Sequence, residues 1–491
     1  MRRRLEWVLD PRYYDQTNLL FSLKLNQPMT AIKKASKAAH AITFDYTPSF
    51  PLRTVDLFAG CGGLTLGLHQ AGHNVVFAIE KDPMAFETFK ANFLDADSSY
   101  PVGNSWPTWL ERKDHDIQVL LSDKKMKERL SSLQGTVDLV CGGPPCQGFS
   151  VGGIRDGQDT RNKLPYRYIE FVELVRPQFV LLENVEGMTR KFVSKPGHVE
   201  TPFVDWVCKR LDKLGYDACY KILDASSFGV PQQRRRVFLF GVAKPLCARS
   251  GLRAQDFFDA VDDVKMTFRQ HLGFPVERAI NIREAISDLD GARQVICPDS
   301  QKFHAGTYKT ATSAFAKLMR RGLSNATIPN SHRFSEHTAR ILEFYQKVQS
   351  EKVFGRLPKA YLVESGTKKD KKVLIDPNKP ASTITTHPDE FIHFRSPRNI
   401  TVREMARIQS FPDDFLFKGR YTINGPRRRF DVARCSQVGN AVPPLLAQAI
   451  GWALHSFQRK IAQNSVTTDH DGCHNQTEVA HNSQHPKHRK D

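Results

Sequence analysis

Short apolar runs alternate with amphipathic segments between residues 53 and 243 of the chain. The runs have the length and apolar content of buried strands. They are predicted as strands at Thr54–Phe58, Val75–Glu80, Val137–Cys141, Phe179–Glu183 and Val237–Val242. The amphipathic segments are predicted as helices at Leu64–Ala71, Pro83–Phe93, Tyr166–Val175 and Phe203–Leu214. Because strands that alternate with helices build βαβ units, the pattern predicts an α/β fold with a doubly wound, mostly parallel, Rossmann-like sheet.

The alternation ends near residue 245, and residues 244–400 combine short helical pieces with loops. Helices are predicted at Ile282–Leu289, Glu336–Val348, Thr401–Gln409 and Pro443–Phe457. A smaller, irregular second domain is therefore predicted after the sheet. An amphipathic helix is also predicted at Thr30–Ile42, and the polar residues from 463 onward are predicted to be disordered.

The charge of the chain favours a polyanionic partner. Its 491 residues include 71 Lys and Arg against 52 Asp and Glu, which gives a formal net charge of +19. The charge is +4 over residues 1–50, +1 over 51–243, +9 over 244–400 and +5 over 401–491. A nearly neutral block followed by a basic one is typical of a catalytic body with a separate nucleic-acid-binding part, although a generally basic protein is the alternative.

The composition disfavours membrane and disulfide-rich proteins. No run approaches the ~18 apolar residues of a membrane-spanning helix. The Cys count of 9 is too sparse for a disulfide framework, so we expect reduced thiols. The histidines of the tail lack the Cys/His spacing of a zinc module, and no metal site is predicted. We expect a cytoplasmic protein with no membrane partner.

A glycine turn directly follows the first predicted strand. It comprises Phe58, Ala59, Gly60, Cys61, Gly62 and Gly63. Glycines allow a ligand to approach the backbone, and Glu80 at the end of the next strand could accept hydrogen bonds from ribose hydroxyls. Thr65 occupies the position of the third glycine in the pyrophosphate fingerprint. The turn therefore favours a nucleoside cofactor without phosphates over NAD, or else it is only a tight connection.

Two chemically active residues follow the next two strands. Cys146 comes after Pro144 and Pro145 in a glycine-containing loop, which suits an exposed nucleophile better than a small buried hydrophobe. Glu183 ends an apolar strand, where burial is expected to raise its pKa and make it a general acid, unless it only caps the following turn. Because the carboxyl ends of neighbouring parallel strands meet at one edge, we expect Cys146 and Glu183 to lie close together.

Basic residues precede the last predicted strand. Gln232, Arg234 and Arg236 alternate along the chain, so we expect them to form a row on one face. Arginine side chains in this row could hold a base carbonyl or a phosphate through paired hydrogen bonds. The alternative is a solvated charge run without a ligand.

Taken in order, these segments resemble the DNA (cytosine-5)-methyltransferase family, which depends on S-adenosyl-L-methionine. The resemblance covers roughly residues 54–242 and 401–452. Its motifs are Asp56–Gly63, Pro145-Cys146-Gln147, Glu183-Asn184-Val185, Gln232–Arg236, Arg403–Pro412 and Gln437–Pro443. In addition, Arg161–Leu164 is similar to the segment after the family's catalytic loop. His115-Asp116-Ile117 is similar to its cofactor segment, with His115 in place of a glycine.

The resemblance implies a covalent mechanism on a cytosine that leaves the duplex. Cys146 would add to C6 of the base, Glu183 would interact with N3, and Arg236, with Arg234, would hold O2. DNA contacts are implied for Gln147, Ser150, Arg155 and Gln232. Cofactor contacts are implied for Phe58, Gly60, Cys61, Gly62, Gly63, Glu80, Asp116, Ile117, Pro145, Leu164, Asn440 and Val442. The chemistry requires no metal.

The resemblance also divides the chain into regions. We expect an N-terminal extension at 1–50, a catalytic methyltransferase domain at 51–265, a target recognition domain at 266–434, a C-terminal helix that completes the catalytic domain at 435–462, and a disordered tail at 463–491. Double-stranded DNA is the expected partner of a nucleoid-associated monomer. A restriction endonuclease acting on the same site is a further expected partner.

Three other functions remain open from the sequence. A tRNA cytosine-5 methyltransferase shares the catalytic motifs, but its recognition region is usually shorter than the basic block at 244–400. A catalytically silent DNA-binding regulator is disfavoured because Cys146, Glu183 and Arg236 are all present. A nicotinamide dehydrogenase is disfavoured by Thr65 in the glycine turn.

Overall fold

The computed structural model describes residues 51–102, 105–145, 164–195, 198–291, 294–367, 371–387, 389–422 and 431–474, with the backbone alone described at 192–195, 198–200 and 466–474. Four residues predicted to act in catalysis or DNA contact lie outside the described residues: Cys146, Gln147, Ser150 and Arg155. The helix predicted at Thr30–Ile42 also lies outside them. All described residues belong to one compact unit, Thr47–Asp491.

The strands are few and short outside one central sheet. In chain order they are β1 Arg53–Leu57, β2 Asn74–Ile79, β3 Leu139–Gly142, β4 Phe179–Val185, β5 Phe192–Lys195, β6 His198–Glu200, β7 Tyr216–Asp224, β8 Arg235–Ala243, β9 Gln294–Ile296, β10 His304–Gly306, β11 Gly355–Arg356, β12 Val373–Leu374 and β13 Phe391–Ile392. All five strands predicted from the apolar runs are present, within two residues at nearly every end.

The helices alternate with the strands of the first half and continue through the second. They are α1 Gly63–Gln70, α2 Pro83–Phe93, α3 Ile117–Leu120, α4 Lys124–Ser131, α5 Leu164–Val175, α6 Phe203–Lys213, α7 Lys244–Ser250, α8 Ala254–His271, α9 Ile282–Ile286, α10 Ala314–Met319, α11 Ala339–Ser350, α12 Lys359–Ser365, α13 Val402–Ile408, α14 Arg434–Asn440 and α15 Pro444–His474. Local signals fix several starts: Asp82 caps α2 ahead of Pro83, and Thr401 and Glu404 form a capping box on α13.

The central sheet has the order β2-β1-β3-β4-β8-β7. The first four strands in this order are parallel, and β8 runs antiparallel to both β4 and β7. The register places Asp56 of β1 opposite Cys141 of β3, and Gly142 of β3 opposite Leu182 of β4. The carboxyl ends of β1, β2, β3 and β4 therefore meet at one edge, which confirms the predicted α/β fold with a mostly parallel sheet.

The sheet contains one strand that the sequence analysis did not predict. Strand β7, Tyr216–Asp224, includes Asp217, Lys221 and Asp224, and most of its residues are only partly buried. It lies at the edge of the sheet, where one side of a strand remains unpaired. Polar residues are tolerated at such an edge, so the apolar run that marks a buried strand is missing.

The C-terminal helix α15 packs against α1, α7 and α8 and so returns to the first half of the chain. His73, just before β2, stacks on His455 of α15 with ring centroids 4.1 Å apart. The expectation of a C-terminal helix on the sheet domain agrees with this packing. Because α15 extends to His474, the predicted disordered tail at 463–491 begins as helix, which corrects that boundary.

Helix α8 also corrects a predicted boundary. It spans Ala254–His271, so the expected division at residue 265 falls inside it. Its buried face includes Phe257, Val261, Val264 and Phe268 at helical spacing, a signal that could have predicted the helix. Since α8 packs on β7, β8 and α15, we propose that the catalytic domain continues to His271.

The region after α8 consists of short elements, as predicted. Strands β9 and β10 form an antiparallel pair, and β11, β12 and β13 form a second small sheet. Part of this region has its own small core, made of Phe344, Tyr345, Val348, Leu357, Leu362, Leu374 and Ile392. Among the described residues, none of the helices combines the length and apolar character needed to span a bilayer.

Candidate active site

The glycine turn after β1 is closed by a carboxylate from the neighbouring strand. Glu80 follows β2, and its Oε2 accepts a hydrogen bond from the Gly60 N–H at 2.9 Å. Its Oε1 accepts from the Asp82 N–H at 2.8 Å. Phe58 and Gly60 both have positive φ angles, 59° and 57°, which turn the chain sharply away from β1. The turn therefore presents its backbone at the sheet edge, with Glu80 beside it.

Residues near the C-terminal end of the sequence pack against the glycine turn. A Cβ atom on Gly63 would overlap the carbonyl oxygen of Val442, so only a glycine permits this approach. Val442 is buried and Asn440 is exposed. The structure thus brings together predicted cofactor residues that are more than 370 positions apart along the chain.

The other predicted cofactor residues lie in differing surroundings. The His115 N–H donates to the Glu80 carbonyl at 2.7 Å, which holds the Asp116–Ile117 segment beside Glu80. The Asp116 carboxylate accepts from the Gln118 N–H at 2.8 Å, and so caps α3. Ile117 and Leu164 are buried, whereas Pro145 is exposed.

Two positions of the glycine turn face the protein interior. The Cys61 thiol is buried, points to the Gln437 carbonyl oxygen at 3.6 Å, and burial raises its pKa to about 12. A Cβ on Gly62 would overlap the Phe93 ring, so Gly62 packs tightly against α2. Any contact of Cys61 with a ligand would therefore use its backbone.

Glu183 of strand β4 and Arg236 of strand β8 form an ion pair. Arg236 Nε lies 3.2 Å from Glu183 Oε1, and the two side chains are only 12–15% exposed. The β4–β8 register explains the pairing, because Val185 lies opposite Arg236. Burial raises the pKa of Glu183, the direction expected from the sequence, while the positive charges of Arg236 and Arg234 oppose that rise.

The loop that leads from β3 to Cys146 is fixed to β4. Asn184 Nδ2 donates to the Pro144 carbonyl at 2.9 Å, and the Asn184 side chain is buried. A Cβ atom on Gly143 would come within 2.8 Å of Glu183 Oε2. Neither Asn184 nor Gly143 was predicted as a site residue, although Asn184 lies within the motif that begins at Glu183 and Gly143 directly precedes Pro144 and Pro145. They define where the chain enters the segment that begins at Cys146.

The first two members of the predicted row of Gln232, Arg234 and Arg236 are buried. Gln232 is fully buried, and its amide pairs with the Ile384 N–H at 2.8 Å and with Gln409 Oε1 at 2.8 Å. Arg234 is 2% exposed and donates to the carbonyl oxygens of Ile384, Gly439 and Ala441. Both side chains therefore hydrogen-bond to protein groups, and the DNA contact of Gln232 and the base contact of Arg234 stay predictions.

Strand β8 begins only at Arg235, so Gln232 and Arg234 precede the strand whose alternation the row assumed. Arg234 nevertheless lies close enough to Glu183 and Arg236 for their charges to act on its pKa. Arg236 lies within β8 and pairs with Glu183.

The motif that begins at Arg403 is a buried polar network. Arg407 forms ion pairs with both Asp413 and Asp288, and Glu404 pairs with Arg398 through both carboxylate oxygens. Arg403 donates to the carbonyl oxygens of Pro412 and Phe415. The network ties α13 to α9 and to the chain after α13. Among the described residues, no group of three or more His, Cys, Asp or Glu could hold a metal ion.

Comparison with known proteins agrees with this geometry. Residues 52–456 match the family model described as C-5 cytosine-specific DNA methylase. The chain is 31% identical over 421 residues to the type II methyltransferase M.DdeI of Desulfomicrobium norvegicum, covering 81% of this chain and 87% of that protein. It is also 31% identical over 475 residues to the type II methyltransferase M.AgeI of Thalassovita gelatinovora, covering 81% and 98%.

A solved structure supports the fold. The crystal structure of a prophage-encoded DNA modification methyltransferase from E. coli superimposes with a TM-score of 0.54 at 23% identity, covering 83% of this chain and 99% of that one. At this identity the match supports the fold alone, and the family assignment rests on the matched residues 52–456. The chain therefore belongs to the C-5 cytosine-specific DNA methylase family and is a DNA (cytosine-5-)-methyltransferase.

Proposed function

We propose that this enzyme transfers a methyl group from S-adenosyl-L-methionine to C5 of a cytosine rotated out of a specific double-stranded DNA sequence. The observation that carries the proposal is the buried Glu183–Arg236 pair, 3.2 Å apart, beside the loop that leads to Cys146. The pair offers a proton-carrying group and a fixed cation at one place. Both are needed to draw electron density out of a pyrimidine ring.

The glycine turn fits the proposed cofactor. Each oxygen of Glu80 accepts one backbone N–H and retains a lone pair, which suits the two hydroxyls of a ribose. The close approach of Gly63 to Val442 leaves the exposed Asn440 beside the turn. S-adenosyl-L-methionine supplies an electrophilic methyl group when bound. Phe58, Gly60, Glu80, Asp116, Ile117, Pro145, Leu164, Asn440 and Val442 are the residues proposed to hold it.

Cys146 is the proposed nucleophile. Its thiolate adds to C6 of cytosine, Glu183 hydrogen-bonds or protonates N3, and Arg236 holds O2 against the charge that the addition pushes into the ring. C5 then becomes nucleophilic enough to accept the methyl group. Loss of the C5 proton to a base and elimination of the Cys146 sulfur complete the cycle and regenerate the thiolate. Removing a single preorganised hydrogen-bond donor, such as Glu183 or Arg236 here, typically costs about 100–1,000-fold in rate.

The target base must leave the duplex for this chemistry. Both faces of the ring must be reached, because the thiolate adds to C6 from one face and C5 attacks the methyl group on the other, and both faces are covered in stacked DNA. Extrusion costs a few kcal/mol, which contacts to the DNA backbone must offset. Gln147, Ser150 and Arg155 are proposed for these contacts, on a segment rich in glycine.

We further propose that the enzyme protects a sequence cut by a partner restriction endonuclease. The curated relatives M.DdeI and M.AgeI are both named as type II methyltransferases. The enzyme is proposed to act as a monomer. The +9 charge of residues 244–400 is proposed to bind the phosphates around the target.

Bisulfite sequencing of DNA from cells expressing the protein tests the substrate, the methylated atom and the target sequence together. The Cys146→Ser variant is expected to abolish methylation while it leaves DNA affinity within about twofold, because a hydroxyl is a far weaker nucleophile than a thiolate. Cys247→Ser is the matched control, since Cys247 is a half-buried thiol on α7. Near-normal turnover by Cys146→Ser would exclude the covalent mechanism. Methylation of tRNA in place of DNA would exclude the proposed substrate.

A further inference from the structure

Three buried side chains connect the two segments that flank the active site. Gln232, Arg234 and Gln409, which we call the polar clamp, are at most 2% exposed. On one side they contact residues 381–386, the recognition-end segment, which lies within the region predicted for target recognition. On the other side they contact residues 438–442, the cofactor segment, which includes the proposed cofactor residues Asn440 and Val442.

The two glutamines form a hydrogen-bonded relay with a single possible orientation. The Ile384 N–H donates to Gln232 Oε1 at 2.8 Å, which leaves Gln232 Nε2 to donate to Gln409 Oε1 at 2.8 Å. Gln409 Nε2 must then donate to the Val438 carbonyl at 2.8 Å. Reversing either amide would place two donors or two acceptors against each other. The relay therefore fixes the recognition-end segment relative to the cofactor segment.

Arg234 makes the same connection by a second route. Its Nη1 donates to the Ile384 carbonyl at 3.3 Å, and its Nη2 donates to the carbonyls of Gly439 at 2.9 Å and Ala441 at 3.1 Å. The two segments also touch directly, since a Cβ on Gly439 would lie 2.5 Å from the Thr385 carbonyl oxygen. One guanidinium thus holds carbonyl groups from both segments.

A merely space-filling role does not explain this choice of side chains. Burying a cation is costly unless its hydrogen bonds are satisfied, and apolar residues of equal volume fill space at lower cost. The neighbouring Arg235 contrasts with Arg234: it is exposed and pairs with Glu186 at the surface. The clamp is therefore specific to the position where the two segments meet.

We propose that Gln232, Arg234 and Gln409 are positioning residues that hold the cofactor segment and the recognition-end segment in one register, so that DNA binding and cofactor binding strengthen each other. This inference rests on the proposed function, because it assigns the cofactor to residues 438–442 and DNA to the region predicted for target recognition, which contains residues 381–386. Coupling between two such sites is reciprocal and commonly amounts to about 5–150-fold.

The test measures the dissociation constant of S-adenosyl-L-methionine by calorimetry, with and without unmethylated plasmid DNA, on full-length protein carrying Cys146→Ser so that no turnover occurs. We expect DNA to tighten cofactor binding in this parent by at least about fivefold. Arg234→Met should weaken cofactor binding about tenfold or more and reduce the effect of DNA to about twofold or less. Arg235→Met is the matched control and should behave as the parent.

Gln409→Met serves as a second variant if Arg234→Met does not fold, since methionine has nearly the same shape and removes only the relay. Urea unfolding establishes the folded fraction of each variant. A folded clamp variant with the parent's cofactor affinity and DNA effect would overturn the inference. A parent that binds cofactor with no effect of DNA would also overturn it. A parent that binds no S-adenosyl-L-methionine at all would instead contradict the proposed function.

Discussion

At the scale of single residues, the site depends on how closely the backbone approaches the reacting groups. Gly143 leaves room for the Glu183 carboxylate, and Asn184 fixes the Pro144 carbonyl at the entrance to the Cys146 segment. Arg236 reaches Glu183 from the antiparallel strand β8. Small changes at these positions should therefore act on rate more than on folding.

Gly143→Ala is expected to lower kcat by roughly 100-fold. The added methyl group would meet Glu183 Oε2 at 2.8 Å and push the carboxylate away from Arg236, and misplacement by about 1 Å commonly costs this much. Steady-state methyl transfer checks the effect, with the urea midpoint as a control for folding. Full activity in the variant would show that the Glu183 carboxylate can move without loss.

The pH dependence of the reaction is expected to report Glu183. Its protonated form is the one that donates to the base, so activity should fall as pH rises through its raised pKa. Arg236→Met removes a positive charge that lowers this pKa, so the falling limb should move to higher pH while the maximal rate decreases. Arg235→Met should leave the limb in place. A limb that stays unchanged in Arg236→Met, or that persists in Glu183→Gln, would contradict this assignment.

At the scale of elements, α13 is a short helix that is buried along its whole length. Every residue from Val402 to Ile408 is buried, including two arginines and a glutamate. Arg407 joins α13 to Asp288 after α9 and to Asp413 beyond α13 itself. A helix this short is not stable alone, so these ion pairs and the surrounding packing hold it in place.

Arg407→Met is expected to destabilise the protein by about 3–5 kcal/mol, because it leaves the carboxylates of Asp288 and Asp413 buried without their main partner. Chemical denaturation at pH 7 measures the change. Lys347→Met is the control, since Lys347 and Glu364 form an exposed ion pair, and solvent-screened pairs contribute little to stability. An equal effect of the two substitutions would contradict the role given to the network.

At the scale of the whole molecule, buried titratable groups set the pH range of stability. Burial lowers the pKa of His73 to about 3 and of His332 and His393 to about 4, and the pairing with Arg398 lowers that of Glu404 to about 2. In the unfolded chain the same groups would take up protons near pH 6.5 and 4.5. These four groups therefore bind fewer protons in the folded state, and their contribution to stability is lost as the pH falls, whereas buried Asp56, whose pKa burial raises to about 7, contributes in the opposite direction.

The histidine contribution to the free energy of unfolding is expected to decline from about pH 6.5 downward, and the contribution of Glu404 below about pH 4.5. Each group contributes a slope of up to about 1.4 kcal/mol per pH unit between its two pKa values. Urea unfolding of the parent and of His332→Gln at pH 7, 6, 5 and 4 isolates the contribution of His332. The stability difference between parent and variant should shrink between pH 6 and 4, whereas a constant difference would contradict the burial of neutral His332.

The sequence predicted the buried parts of the fold well. Strands β1 to β4 and β8 are apolar runs because both faces of a central sheet are covered, and helices α2, α5 and α6 carry plain amphipathic patterns. The edge strand β7 was missed because its polar residues belong to neither pattern. Glu183 and Arg236 were predicted as site residues and meet in the structure, although their roles in catalysis remain predictions.

By itself, the sequence determined the order of strands and helices and the chemistry available at the carboxyl edge of the sheet, because periodicity and residue type are local properties. Only the tertiary structure decided which of these groups are free to act. Gln232 and Arg234 looked like ligand-binding residues in the sequence, yet they bond to segments about 150–200 positions away. Such contacts depend on how distant segments pack, and a local sequence pattern does not predict that packing.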